Sequence, residues 1–191
     1  MSELVFLLEE QSARVMLEGL LPRLELPIGI VRYIVFEGKS DLEANVILRL
    51  QHYQSSNAHF VILRDQDSGD CRGLKSSLTE KCRQAGRPGT LVRIACHELE
   101  SWYLADLAAV EHGLAIAGLA QKQNRAKFRR PDSLTNACEE LEKLTNGRYQ
   151  TVSGSRAIGP HLNPDNRRSK SFAVFIQGIR KITNSSGDTG T

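Results

Sequence analysis

Two carboxylates spaced by one residue, Asp65 and Asp67 in the string RDQDSGD, follow directly on the apolar run His59-Phe60-Val61-Ile62-Leu63. A second acidic pair, Glu9-Glu10, follows Leu4-Val5-Phe6-Leu7-Leu8, and a third, Glu98-Leu99-Glu100, follows Leu91 to Cys96. Glu37 closes a fourth run of the same kind, Ile30 to Phe36. Acids gathered at one place repel one another and raise each other's pKa unless a cation lies between them. A hard divalent ion such as Mg²⁺ or Mn²⁺ resolves that conflict, because it takes oxygen ligands and carries water suited to phosphate chemistry. The sequence thus points to metal-assisted phosphoryl chemistry rather than to a solvated acidic rim.

Other readings of the same residues fit less well. Asp65-x-Asp67-x-x-Asp70 opens like a calcium-binding loop, but the sixth and twelfth positions, where Gly and Glu are needed, hold Asp70 and Ser76. His97-Glu98 opens like a zinc-protease helix, but residue 101 is Ser where the second His should stand. An aspartyl-phosphatase reading makes Asp65 the nucleophile and Asp67 the general acid. It leaves Glu9, Glu98 and Glu100 without a task, and it ranks below the metal reading.

The elements that must position these acids follow from periodicity. The four apolar runs are strands. Between them, Ala13 to Leu24 (interrupted by Pro22), Leu42 to Leu50 behind a Ser40 N-cap, and Leu74 to Ala85 recur at helical spacing. Strand–helix alternation predicts an α/β fold with a mostly parallel sheet flanked by helices. Ligands of such sheets bind beyond the carboxyl ends of the strands, where the acids lie. The second half predicts a helix over 102–117, a basic stretch over 122–130, a helical stripe over 134–144, a long loop over 146–170, a final helix from Phe172 and a disordered tail over 184–191. Trp102 and Tyr103 read as core rather than as a platform for stacked bases.

Composition narrows the class. The chain has 191 residues, 40% hydrophobic and 25% charged, as an ordinary globular protein does. No apolar stretch approaches the ~20 residues that cross a bilayer, the first residues lack the features of a secretory signal, and Cys71, Cys82, Cys96 and Cys138 form no CxxC pair. A cytoplasmic protein with reduced, buried thiols is expected. The net charge of +3 conceals an acidic first half and a basic second half. That asymmetry suits a protein that handles metal and phosphate, and equally an unevenly charged surface.

A Glu after the first strand and an Asp-x-Asp pair after a later one resemble the Toprim domain of topoisomerases, primases and the overcoming-lysogenization-defect nucleases. FEGKSD at 36–41, DQDSGDCRGLK at 65–75, RIACHELESWYLAD at 93–106, RRPDSL at 129–134 and SGSRAIGPHLNPDNRRSKSFAVFIQGIRKI at 153–182 resemble, more closely, the Toprim-like domain-of-unknown-function family DUF4276. The resemblance implies a single Toprim-like, Rossmannoid domain over 1–183, with an α/β core to about residue 105 and a helical extension over 106–183. It implies a metal-dependent nuclease, with Glu9, Asp65 and Asp67 catalytic. Those three would bind Mg²⁺ or Mn²⁺, and Glu98 and Glu100 would hold a second ion. If Glu98 and Glu100 lie on a strand end they share a face; if a helix starts at Glu98 they point apart. Lys39, Lys75, Arg93, His97, Arg167 and Arg168 would contact phosphate. The implied partners are nucleic acid, DNA ahead of RNA, an AAA- or ABC-type ATPase within an anti-phage defence system, and a second copy of the chain. The alternative is a non-catalytic partner or regulator of such an ATPase. Two departures stand out. Glu10 occupies a position usually held by Gly, which leaves Glu9 and Glu10 both open as the site residue, and Gln150-Thr151 stand where a base is usual.

Overall fold

The structure is a computed structural model that describes residues 2–184. Four apolar runs form strands at Glu3–Leu8 (β1), Ile30–Val35 (β2), Ala58–Asp65 (β3) and Leu91–Ala95 (β4). They pair in parallel in the order β2-β1-β3-β4. Helices Gln11–Leu20 (α1), Lys39–Gln51 (α2) and Cys71–Gln84 (α3) make the crossovers. This is the Rossmann-like architecture that the alternation predicts.

The central strands are apolar along almost their whole length because both sheet faces are covered. Leu4, Phe6 and Leu8 face one core, with Met16 and Leu17 of α1, Trp102 and Phe175. Val5 and Leu7 face the other, with Leu42 and Val46 of α2 and Leu78 of α3. Two-residue alternation along β1 divides the layers. The chain steps from β1 outward to β2 and then back past β1 to β3. Right-handed crossovers therefore put α1 on one face and α2 and α3 on the other.

Beyond β4 every regular element among the described residues is helical: Glu100–Leu104 (α4), Leu107–Leu114 (α5), Ala137–Leu144 (α6), Thr151–Ile158 (α7) and Lys170–Asn184 (α8), with short 3-10 turns between. Three expectations change here. The helix expected over 102–117 is two, because Asp106 caps a new helix by accepting from the Ala109 N–H at 3.2 Å. The expected loop over 146–170 contains α7, although its Gly and Ser residues are poor helix formers; tertiary packing overrides propensity. A Cβ on Gly159 would lie 2.5 Å from the Met16 carbonyl oxygen, so glycine there lets the end of α7 press onto α1. α2 starts two residues early, with Gly38 (φ 92°) rather than Ser40 at its N-cap.

Asn184, assigned from sequence to the tail, ends α8; the remaining tail residues, 185–191, lie outside the described ones. Trp102 and Tyr103 are core residues. All four cysteines are free thiols, of which Cys82 alone is fully buried.

Candidate metal centre

β1 leads into α1 on one face and β3 leads into α3 on the other, and these two strands are neighbours. A crevice opens beyond the carboxyl ends of such a pair. Glu9 and Asp65 stand at that point: Glu9 is the first residue past β1, and Asp65 ends β3. The Asp65 N–H donates to Glu9 Oε2 at 3.2 Å. Glu9 is only 8% exposed, whereas Glu10 is exposed and opens α1, so Glu9 is the residue turned into the crevice. Leu63, Leu99 and Ser12 help to line a cavity of about 10 Å³ there, the size of one small occupant.

Arg64, 5% exposed inside the apolar strand, sits beside it. Its guanidinium pairs with Glu43, and its Nε lies 3.8 Å from Glu9 Oε2 without a hydrogen-bond partner. Sequence reasoning missed Arg64. The signal was a lone cation in the run VILRD, where nothing but pairing tolerates a charge.

Burial pushes the Asp65 carboxyl well above its ordinary range, and the charges of Glu100, Glu9 and Glu10 add to that, against the Leu99 N–H that stabilises the anion. Glu9 is raised chiefly by burial; the Asp65 N–H and Arg64 oppose, and Asp67 and Glu10 add. Glu100 is raised by burial as well, although the Tyr149 hydroxyl donates to Glu100 Oε1 at 2.7 Å. Tyr149, fully buried and also 3.3 Å from Ser155 Oγ, is a second residue that sequence reasoning did not place in the site.

The remaining acids are held elsewhere. β4 ends at Ala95, Leu99 already has helical dihedrals, and Glu100 is the first residue of α4. Neither expected arrangement of the Glu98/Glu100 pair holds, because Glu98 lies between β4 and α4 and only Glu100 is helical, and the two diverge. Glu100, 5% exposed, points to Tyr149, while Glu98 Oε2 accepts from the Cys138 N–H at 2.7 Å. That bond satisfies a free donor at the start of α6, whose N-cap Asn136 supplies no side-chain bond. Glu98→Ala should therefore lower the free energy of unfolding by about 1 kcal/mol. Glu98→Gln, which keeps an acceptor oxygen, should restore most of it; urea unfolding of the two variants measures both.

Asp67 Oδ2 is 2.9 Å from Lys39 Nζ, and the pair raises the Lys39 pKa through hydrogen bond and charge. The Asp67 backbone is left-handed (φ 53°), as is that of His97 (φ 58°). They clasp each other: the Asp67 N–H donates to the His97 carbonyl at 2.7 Å, and His97 Nδ1 donates to the Asp67 carbonyl at 3.1 Å. His97 thus ties the β3 and β4 ends together. Lys75 and Arg93 lie one strand further out, by β4, and Arg167 and Arg168 are exposed on the loop before α8. In the basic stretch, Lys127 pairs with Glu140.

Among the described residues no three His, Cys, Asp or Glu side chains stand ready as a ligand set. The reason is electrostatic: Asp67 is neutralised by Lys39, Glu98 is consumed by α6, and the carboxylates left in the crevice repel. Glu9 and Asp65 nevertheless fit a hard cation. They are inward-facing oxygen donors whose ionised forms are short of positive charge.

The family described as "Domain of unknown function (DUF4276)" matches residues 8–180. No curated protein matches the chain. Among solved structures, the chain is similar to the C-terminal region of the OLD protein of Xanthomonas campestris pv. campestris, with 17% identity, a TM-score of 0.52 and 98% of each chain covered. It is also similar to the C-terminal region of the Burkholderia pseudomallei OLD protein, with 16% identity, a TM-score of 0.51, and 94% of this chain and 98% of that one covered. These likenesses are of fold.

Proposed function

For a chain that belongs to the DUF4276 family, we propose a divalent-metal-dependent phosphodiesterase acting on nucleic acid, DNA before RNA. The observation that carries this reading is the pair of inward carboxylates Glu9 and Asp65 at the switch point of a parallel sheet, both raised in pKa chiefly by burial, with the charges of Glu100 and Glu9 adding at Asp65. The fold it shares with the OLD C-terminal regions supports it, as do the Toprim-like motifs.

Glu9 and Asp65 would hold Mg²⁺ or Mn²⁺, joined by Asp67 once it leaves Lys39. Such an ion, when bound, polarises a phosphoryl oxygen and makes its water acidic enough to attack. Lys39, freed from Asp67, would lie at the same edge and pair with the phosphate. Arg64, 3.8 Å away, would offset part of the Glu9 charge. Glu100, kept by Tyr149 on the inner wall, would accept a proton or complete the ion's shell. An ATPase partner and a role in phage defence belong to the same proposal.

A second reading, a silent module docked on an ATPase, draws on the absence of a ready ligand set among the described residues. Calorimetric titration with MnCl₂ separates the two. The first reading expects saturable binding that Asp65→Ala removes; a flat titration of the unaltered chain would favour the module.

A further inference from the structure

A larger cavity, about 370 Å³, opens beside the carboxylates between β4, α3 and α8. Val92 and Ile94 of β4, Val174 of α8 and the thiols of Cys71 and Cys96 form its apolar wall. Lys75, Arg93 and Lys170 bring three cations to it, against a single acid, Asp132. That acid is occupied: Asp132 Oδ2 accepts the Ser171 N–H at 2.9 Å, and Oδ1 accepts the Ser171 hydroxyl at 3.4 Å. Arg93 donates only to carbonyls, Val174 at 3.2 Å and Val92 at 2.9 Å. None of the three cations joins an ion pair among the described residues. Arg93 is half-buried, and its pKa is lowered by that burial alone. Lys75 and Lys170 are exposed, so the half-buried Arg93, which has no ion-pair partner among the described residues, is the charge that an incoming anion would compensate most.

Its apolar wall asks for more than an inorganic ion. Small-molecule pockets start at about 300 Å³ and combine an apolar lining with a few convergent polar groups. A phosphate bearing a flat organic ring meets both demands. The location selects which one. Cys96 directly follows Ala95, the register partner of Asp65, so the cavity begins one strand spacing, about 5 Å, from the carboxylate crevice. A strand whose phosphate lies against Glu9 and Asp65 reaches the cavity with its adjoining nucleotide.

We propose that this cavity is a nucleotide subsite, with a phosphate held by Lys75, Lys170 and Arg93 and the base packed on Val92, Ile94 and Val174. That the bound nucleotide belongs to a strand being cleaved rests on the phosphodiesterase reading; nucleotide binding itself needs no metal.

The test is calorimetry of the full chain with dAMP, TMP and inorganic phosphate in metal-free buffer. The single tryptophan offers a second readout, since Trp102 Nε1 donates to Ser171 Oγ, at the cavity wall, at 2.8 Å. Both nucleotides should bind, at least about tenfold more tightly than phosphate. Lys75→Ala with Lys170→Ala should weaken them tenfold or more, as should Val174→Phe, which fills the cavity from an exposed helix position. Asp65→Asn should not weaken them. Nucleotide binding that is absent, indifferent to Lys75, Lys170 and Val174, matched by phosphate alone, or weakened by Asp65→Asn overturns the proposal. A failed Mn²⁺ titration alongside intact dAMP binding would sink the phosphodiesterase reading and leave the subsite standing.

Discussion

Asp65→Asn is expected to reduce Mn²⁺-supported cleavage of DNA by on the order of 10³-fold, a loss of about 4 kcal/mol of transition-state stabilisation. The size follows from position. Asp65 sits at the switch point, donates its own N–H to Glu9, and feels the charges of both Glu9 and Glu100. Asp65 is thus linked to Glu9 by a hydrogen bond and to Glu100 by charge, at the end of a central strand. Asp67→Ala added to Asp65→Ala should abolish turnover, whereas Glu98→Gln, whose oxygen caps α6, should retain most of it. The measurement is single-turnover cleavage of plasmid and of single-stranded DNA. Equal rates in the double variant and the unaltered protein would remove the crevice from the chemistry.

The same substitution should make the metal-free protein more stable at neutral pH. Folding raises the Asp65 pKa, so between the ordinary Asp value near 3.9 and the raised one the folded chain holds a proton that the unfolded chain has lost. The stability penalty is absent below about pH 4, grows as pH rises through that window, and is complete above the raised value. Asparagine cannot ionise and escapes it. The Tm difference between Asp65→Asn and the unaltered protein should be near zero at low pH and reach several degrees at pH 7–8. Each 1 kcal/mol corresponds to about 2–4 °C for a chain of this size. Mn²⁺ at a hundred times its Kd should raise the unaltered protein by about 2.7 kcal/mol and leave the variant unmoved. Paired melting curves from pH 4 to 8, with and without MnCl₂, decide it; a difference that stays constant with pH would show that Asp65 is not the strained acid.

The sheet was legible in the sequence because each strand is a short apolar run closed by acids, and the continuous burial of β1 follows from the unbroken apolar run in ELVFLL. Glu9 and Asp65 were legible as strand-end residues for the same reason. The choice between Glu9 and Glu10 was not, since either can be the first residue past a strand; it depends on where α1 begins. The Glu98/Glu100 pair turned on a similar matter. Their common face required β4 to run on, but β4 stops at Ala95 and helical backbone is established by Leu99. α7 was hidden because TVSGSRAI has weak helical propensity and is held by contacts with α1 and α5 that lie far away in the chain. Arg64 and Tyr149 act through partners more than 20 residues distant, which no local spacing reveals.

The reciprocal clasp of Asp67 and His97 has a kinetic corollary. With the N–H and the carbonyl of its main chain both held by His97, Asp67 can travel only by turning its own side chain. Rotamer hops of exposed groups take picoseconds to nanoseconds, far less than the rearrangement of a loop. Loading of the crevice would therefore keep pace with arrival of the ion, and the slow event of any turnover must be sought elsewhere.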